Sequence, residues 1–224
     1  LKVSICIPAR DTVCTGFAYD LARLSMTIWS DLPAGSAVNL HCISGTLIAS
    51  QRNRLAEMAL QAGADVLLWL DSDMRVPPDL FRMLVAGDAP IVGCNYATRR
   101  LPPRPTALAS VADERRLSSA GKTGREPAEA LGFGAILTHA DVFRRLPQPW
   151  FSTPWLPTAR KTIGEDLFFC QRAIAHGFEV LVDHDASQRV RHVGVFEFGH
   201  EHVAAAPAED DDAATGKRIE ESEA

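Results

Sequence analysis

Short apolar runs alternate with polar segments bearing glycine or proline over the first hundred residues, and the hydrophobic period switches in a regular order. Residues 3–8 read Val-Ser-Ile-Cys-Ile-Pro, a β-branched run that predicts a strand ended by Pro8. Phe17, Leu21, Leu24 and Ile28 then recur three or four apart, which predicts a helix over 17–30. Val38 to Ile43 reads as a second strand and Ser44-Gly45-Thr46 as a turn. A second helical pattern follows to about Gln61, with Ile48, Leu55 and Ala59 on its inner face and Gly63 as its stop. Val66 to Leu70, Val-Leu-Leu-Trp-Leu, is apolar on both faces, as expected in the middle of a parallel sheet covered by helices. Pro77 and Pro78 open a helix to about Val85, where proline tolerates the missing amide, and Ala89 to Gly93 is a further strand. This βαβαβ rhythm predicts an α/β fold with an open, mostly parallel sheet.

The pattern then loosens. Arg99, Arg100 and Arg104 lie among Pro102, Pro103 and Pro105, and 110–130 is polar, so 97–130 reads as loop. Order resumes at Leu131 to Leu137. A short helix at 139–145, a loop through Trp150, Phe151 and Trp155, a helix over 165–176 and strands near 178–182 and 189–193 follow. One domain over 1–203 is expected, with a first half at about 1–96 and a second at about 130–203. Residues 204–224 read as a flexible acidic tail.

Composition sharpens this reading. Hydrophobic residues are 46% of the 224, enough for a real core. The formal charge of −5 belongs to the last sixteen residues, so the body is near neutral and a broad polycationic surface for nucleic acid is disfavoured. Cys6, Cys14, Cys42, Cys94 and Cys170 are scattered and odd in number, and most sit beside apolar runs; neither a zinc pair nor a disulfide framework is implied. The opening run, followed at once by Arg10 and Asp11, has neither the length nor the processing site of a secretory signal, and no apolar stretch approaches a membrane span. A cytoplasmic protein is expected.

The sharpest chemical signal is Asp71-Ser72-Asp73, placed where the buried central strand ends. In open α/β sheets ligands bind at the carboxyl edge. Two adjacent carboxylates repel each other, and a divalent cation or strong hydrogen bonding relieves the penalty; oxygen ligands favour magnesium, manganese or calcium. A polar turn with Asp73 as a cap is the plainer reading of the same residues.

Leu67-Leu-Trp-Leu-Asp-Ser-Asp-Met74, with Pro77-Pro-Asp-Leu80 after it, resembles the Asp-x-Asp segment of GT-A fold glycosyltransferases, in the family-2-like, mostly inverting branch. Ile5 to Asp11 resembles the first strand and nucleotide-binding loop of that group. Gly132-Phe-Gly-Ala-Ile-Leu137 is similar to its acceptor-side strand, Gly164-Glu-Asp-Leu-Phe-Phe169 to its Glu-Asp motif, and His192-Val-Gly194 to a late metal-ligand segment. The matches occur in the family's order across about residues 2–200.

The resemblance implies a nucleoside-diphosphate sugar donor, UDP by the habit of the group, a Mn2+ or Mg2+ ion, and a hydroxyl acceptor. It makes Asp73 a direct metal ligand, Asp71 a ribose contact or water-mediated ligand, and His192 the completing ligand, with His200 and His202 as competitors. It makes Asp166 the base that takes the acceptor proton, supported by Glu165. Arg10, Asp11 and Ser72 would border the nucleotide, and Arg99 would cover its phosphates. Arg52, oddly placed on the apolar face of its helix, would reach the diphosphate or brace the Asp71 loop. Trp150 and Trp155 offer rings for a sugar face or a seal over the core, and Phe133 and Gly134 suggest a backbone approached closely by a ligand or helix.

Other classes fit less well. A dehydrogenase or nucleotidyltransferase lacks its glycine-rich loop after the first strand, since Pro8-Ala-Arg-Asp11 has no glycine. Phosphoryl hydrolysis at Asp71 and Asp73 is open on chemistry alone. A non-catalytic nucleotide-sugar or carbohydrate binding module would need the carboxylates only as caps. Transfer to hydroxymethylated bases of phage-type DNA is a further alternative, with nucleic acid entering only as acceptor; a glycan or other small acceptor leads.

Overall fold

Hydrophobic alternation becomes a seven-stranded sheet in the computed structural model, which describes residues 1–100, 102–157 and 160–194. The chain runs β1 (Lys2–Ala9), α1 (Thr15–Asp31), β2 (Ala37–Ser44), α2 (Ile48–Gln61), β3 (Val66–Leu70), β4 (Met74–Arg75), α3 (Leu80–Val85) and β5 (Ile91–Gly93). It continues through β6 (Leu108–Ser110), β7 (Arg115–Arg116), β8 (Arg125–Pro127), β9 (Ala135–His139), α4 (Ala140–Arg145), β10 (Trp155–Leu156) and β11 (Lys161–Thr162). It closes with α5 (Glu165–Ala175), β12 (Val180–Asp183), α6 (His184–Ser187) and β13 (Arg191–His192). Residues Leu1–Val193 form one compact unit. The expected tail at 204–224, with His200 and His202, lies outside the described residues. Among those that are described, no helix is long and apolar enough to cross a membrane.

The sheet order is β2-β1-β3-β9-β5-β12-β8. β1, β2 and β3 are mutually parallel, as are β5 and β12, whereas β9 runs antiparallel between β3 and β5 and β8 antiparallel to β12. The central strand β3 therefore has one parallel and one antiparallel neighbour rather than two parallel ones. Because side chains alternate across a strand, Val66, Leu68 and Leu70 join Val3, Ile5 and Ile7 under α1 and α3. Leu67 and Trp69 join Cys6 under Leu55, Ala56 and Ala59 of α2 and Phe169 and Cys170 of α5. That two-sided cover explains why all five β3 residues are buried.

Three expectations need correction. Pro77 and Pro78 precede α3, which begins at Leu80. The stretch 110–130 is not all loop, because Arg125–Pro127 forms the sheet-edge strand β8. The strand near 189–193 shrinks to two residues that pair with β4, outside the main sheet, and this brings His192 opposite Met74. All five cysteines are free; Cys6, Cys94 and Cys170 are buried, but Cys42 is exposed.

Candidate active site

The parallel strands β2, β1 and β3 end side by side, and a cavity of about 460 Å³ opens across their carboxyl edge. Its β2 side is uncharged, formed by Gly45, Thr46, Ile48 and Gln51. Pro8, Ala9 and Arg10 line its middle at the end of β1. Its β3 side carries Asp71, Ser72, Asp73, Arg99 and His192. Asp11 is exposed and only loosely paired with Arg10, at 4.0 Å; the cavity lining does not include it.

Helix α2 organises one wall. Successive helical residues are turned by about 100°, so Gln51, Arg52 and Asn53 fan out toward three different segments. The Gln51 amide donates to the Ala9 and Ile43 carbonyls at 2.6 and 2.8 Å, tying the ends of β1 and β2. Arg52 Nη2 donates to Asp71 Oδ1 at 2.8 Å, and its Nη1 lies 3.3 Å from Glu165 Oε1. The guanidinium stands 5.1 Å from the Phe133 ring centroid, with only 4% of the side chain exposed. Burial opposes its charge, but Asp71 and Glu165 outweigh burial and keep it protonated. Asn53 donates to Phe151 O and accepts from the Trp150 and Phe151 amides, pinning the aromatic loop.

Asp71 and Asp73 diverge. Asp71 turns to Arg52, and its own amide donates to Gly134 O at 3.0 Å, continuing the β3–β9 ladder. Asp73 faces Arg99 Nη1 at 2.7 Å and His192 Nε2 at 3.5 Å. Burial works to raise the Asp73 carboxyl, yet His192 and Arg99 together hold it below the usual carboxylate range. His192 Nδ1 lies 3.0 Å from the Ala97 carbonyl, which can only accept. The Nδ1 position therefore carries a proton. Despite burial, the Asp73 carboxylate favours a second one on Nε2 and so raises the imidazole's affinity for protons, and a cation bound there would take the Nε2 lone pair in that proton's place. One carboxylate and one imidazole so disposed suit a divalent cation such as manganese. Among the described residues, no three His, Cys, Asp or Glu side chains converge on a metal position. Asp71, expected as a ribose contact or water-mediated ligand, turns to Arg52 rather than to the Asp73–His192 pair.

Glu165 and Asp166 begin α5 after Gly164. Burial raises the Glu165 carboxyl above its ordinary range, against the pull of Arg52. Asp166 folds back so that its Oδ1 accepts from the Leu167 amide at 2.7 Å. A Cβ on Gly164 would stand 2.5 Å from that oxygen, so glycine is what admits this rotamer. Asp166 remains half-buried and close enough to act on the charge of Arg52.

The glycines around Phe133 have a different cause from the one expected. A Cβ on Gly132 would strike the Tyr96 hydroxyl, and one on Gly134 would lie 2.8 Å from the Tyr96 ring. Tyr96, rather than a ligand or helix, occupies that space; its hydroxyl accepts from Gly134 N at 3.0 Å, and its ring meets His192 edge-on at 5.2 Å. Phe133 itself is buried, packed among Trp69, Phe151 and Phe169. Trp150 is likewise a core residue, its indole N–H shared between the Phe143 and Leu146 carbonyls. Losing such a buried tryptophan costs roughly 3–5 kcal/mol, which argues against its turning out to stack on a sugar. Trp155 on β10 is exposed, 59% accessible, on the segment that leads to Gly164. Gln51 and Tyr96 are the site residues missed by sequence reasoning. Gln51 left one legible trace: it sits four before Leu55 and eight before Ala59, on a helix face that is apolar apart from it and Arg52.

No family model and no curated protein matches the chain. Solved structures do. A197 from STIV aligns over 90% of this chain and all of its own, at 15% identity and a TM-score of 0.57. The catalytic domain of Drosophila beta1,4galactosyltransferase 7, in complex with xylobiose, aligns over 87% of this chain and 71% of that one, at 13% identity and a TM-score of 0.51. A mutant of the same Drosophila enzyme, in complex with manganese, UDP-Gal and xylobiose, covers 99% and 82% at 13% identity and a TM-score of 0.50. At these identities the likeness is one of architecture, and the architecture is the GT-A glycosyltransferase fold.

Proposed function

We propose that the protein transfers a sugar from a nucleoside-diphosphate sugar, a UDP-sugar in particular, to a hydroxyl acceptor, with inversion at the anomeric carbon. The observation that carries this reading is the two-sided cavity at the sheet edge. Its uncharged β2 side suits a neutral hydrogen-bonding base, and its β3 side gathers Asp73, Arg99 and His192 where a diphosphate would lie. The same-fold Drosophila enzyme seen with manganese and UDP-Gal supports the donor class.

Asp73 and His192 would hold a Mn2+ or Mg2+ ion, whose positive charge offsets the negative charge that develops on the diphosphate leaving group. Arg99 and Arg10 are the chain's own cations beside that group. Arg52 holds Asp71 and Glu165 in place, so the strand-end turn and the start of α5 keep a fixed separation. Asp166 accepts the proton of the acceptor hydroxyl as it attacks, a role that general-base catalysis makes worth about 10²–10⁴-fold in rate. Glu165, held by Arg52, supports and orients that arrangement. Trp155 presents a ring for the apolar face of an acceptor sugar, and a glycan or other small hydroxyl acceptor is the class proposed.

The test is UDP release from a panel of UDP-sugars with simple glycoside acceptors, followed by NMR of the product anomer. Asp166→Asn should bind UDP within about threefold of the parent while transfer falls by about a hundredfold or more. Retention of configuration, or undiminished transfer by the variant, would remove Asp166 as the base.

A further inference from the structure

Gln51 is a buried polar residue, 6% exposed, on the wall of the cavity. Two carbonyl oxygens, of Ala9 and Ile43, lie 2.6 and 2.8 Å from one terminal atom of its amide. Carbonyls only accept, so that atom is the NH2 nitrogen and both of its hydrogens are committed. The other end of the amide, Oε1, accepts from no group among the described residues, yet it is not sealed from solvent as the orphaned atoms of Arg52 are. The flanking contacts prevent the amide from flipping, because a flip would set Oε1 against two carbonyls. A fixed, pre-oriented acceptor therefore belongs to a residue that lines the neutral side of the cavity together with Gly45 and Thr46.

The geometry points to Gln51 as the residue that reads the nucleobase: its Oε1 accepts from a ring N–H on the base edge. This rests on the nucleoside-diphosphate reading above and deepens it. Uracil offers such a hydrogen at N3 and guanine at N1. Cytosine and adenine place a bare acceptor nitrogen at the corresponding position and would set lone pair against lone pair. A site built to hydrogen-bond a substrate group rejects the analogue lacking it, because its own buried polar atom is then left unpaired. The β1–β2 tie explains why the reader is a glutamine: a carboxylate could accept from the base but could not donate to Ala9 and Ile43.

Calorimetric titration of the full chain with UDP, 3-methyl-UDP, CDP, GDP and ADP, all with manganese, tests this. UDP is expected to bind at least about tenfold tighter than CDP and than 3-methyl-UDP, which differs only by blocking N3. GDP against ADP asks the same question of a larger base. In Gln51→Met, shown to be folded by circular dichroism, the UDP-to-CDP ratio should collapse toward one. The methylated analogue probes the contact in unaltered protein, so a destabilised variant does not leave the question open. Equal binding of UDP, CDP and 3-methyl-UDP by the parent, or an unchanged ratio in Gln51→Met, overturns the assignment while sparing the donor reading. Failure of every diphosphate nucleotide to bind overturns both.

Discussion

Arg52 lies 2.8 Å from Asp71 and 3.3 Å from Glu165 with its side chain almost fully enclosed, so removing the guanidinium would strand two carboxylates together. Breaking such a buried pair costs about 3–5 kcal/mol, and Asp71 is partly solvated, which puts Arg52→Met near the lower end. For a domain of this size that is a fall in Tm of roughly 6–12 °C, and Glu165→Gln in the same background should restore part of it. A loss under about 1 kcal/mol in the Arg52→Met variant would mean that water already solvates both acids. The odd position of Arg52 was legible in the sequence because a charge on an apolar helix face calls for a partner. One partner was foreseen, since bracing of the Asp71 loop was among the roles expected of Arg52; Glu165, more than a hundred residues away, was not. Trp150 shows the opposite limit: a tryptophan that stacks on a ligand and one that stacks on the core have the same neighbours in sequence.

At the scale of elements, the strands and helices with strong periodicity emerged close to their expected bounds, and the weak ones did not. β8 is three residues long and ends in Pro127, so its strand character comes from the β12 edge it pairs with. β4 and β13 exist only through each other. Their neighbourhood is held by Asp20 of α1, which accepts from Arg75 Nε at 2.5 Å and from Val76 N at 3.2 Å. The Arg75 hydrogen bond, with help from the Val76 amide, holds the Asp20 carboxyl below its ordinary range despite burial. A depressed folded pKa means that the unfolded chain binds the proton more tightly. The stabilisation is therefore complete above the unfolded value of about 3.9 and fades as pH falls through the lower folded value. Asp20→Asn should melt below the parent at pH 7, with the gap closing in thermal scans below about pH 4. A gap of constant size from pH 7 to pH 3 would show that the Asp20 charge contributes nothing.

For the whole molecule, the apolar rhythm of the first hundred residues was enough to foresee an open α/β sheet with Asp71 at its carboxyl edge. The antiparallel insertion of β9 was not foreseen, because periodicity carries no strand direction. That insertion matters to the site: it sets Gly134 against Asp71 and makes room for Tyr96, which in turn buttresses His192. The residues proposed for donor, cation and base, Arg10, Gln51, Asp73, Arg99, Asp166 and His192, thus come from six chain segments that only this topology assembles. The proposed function requires that the assembled edge bind a nucleoside diphosphate through Asp73. The most direct measurement is calorimetric titration of the protein with UDP in manganese and in EDTA, repeated with Asp73→Asn. Binding that requires manganese and weakens at least about tenfold in the variant is the predicted result. Equal binding in manganese and EDTA, or a folded Asp73→Asn variant that binds as the parent does, would contradict it.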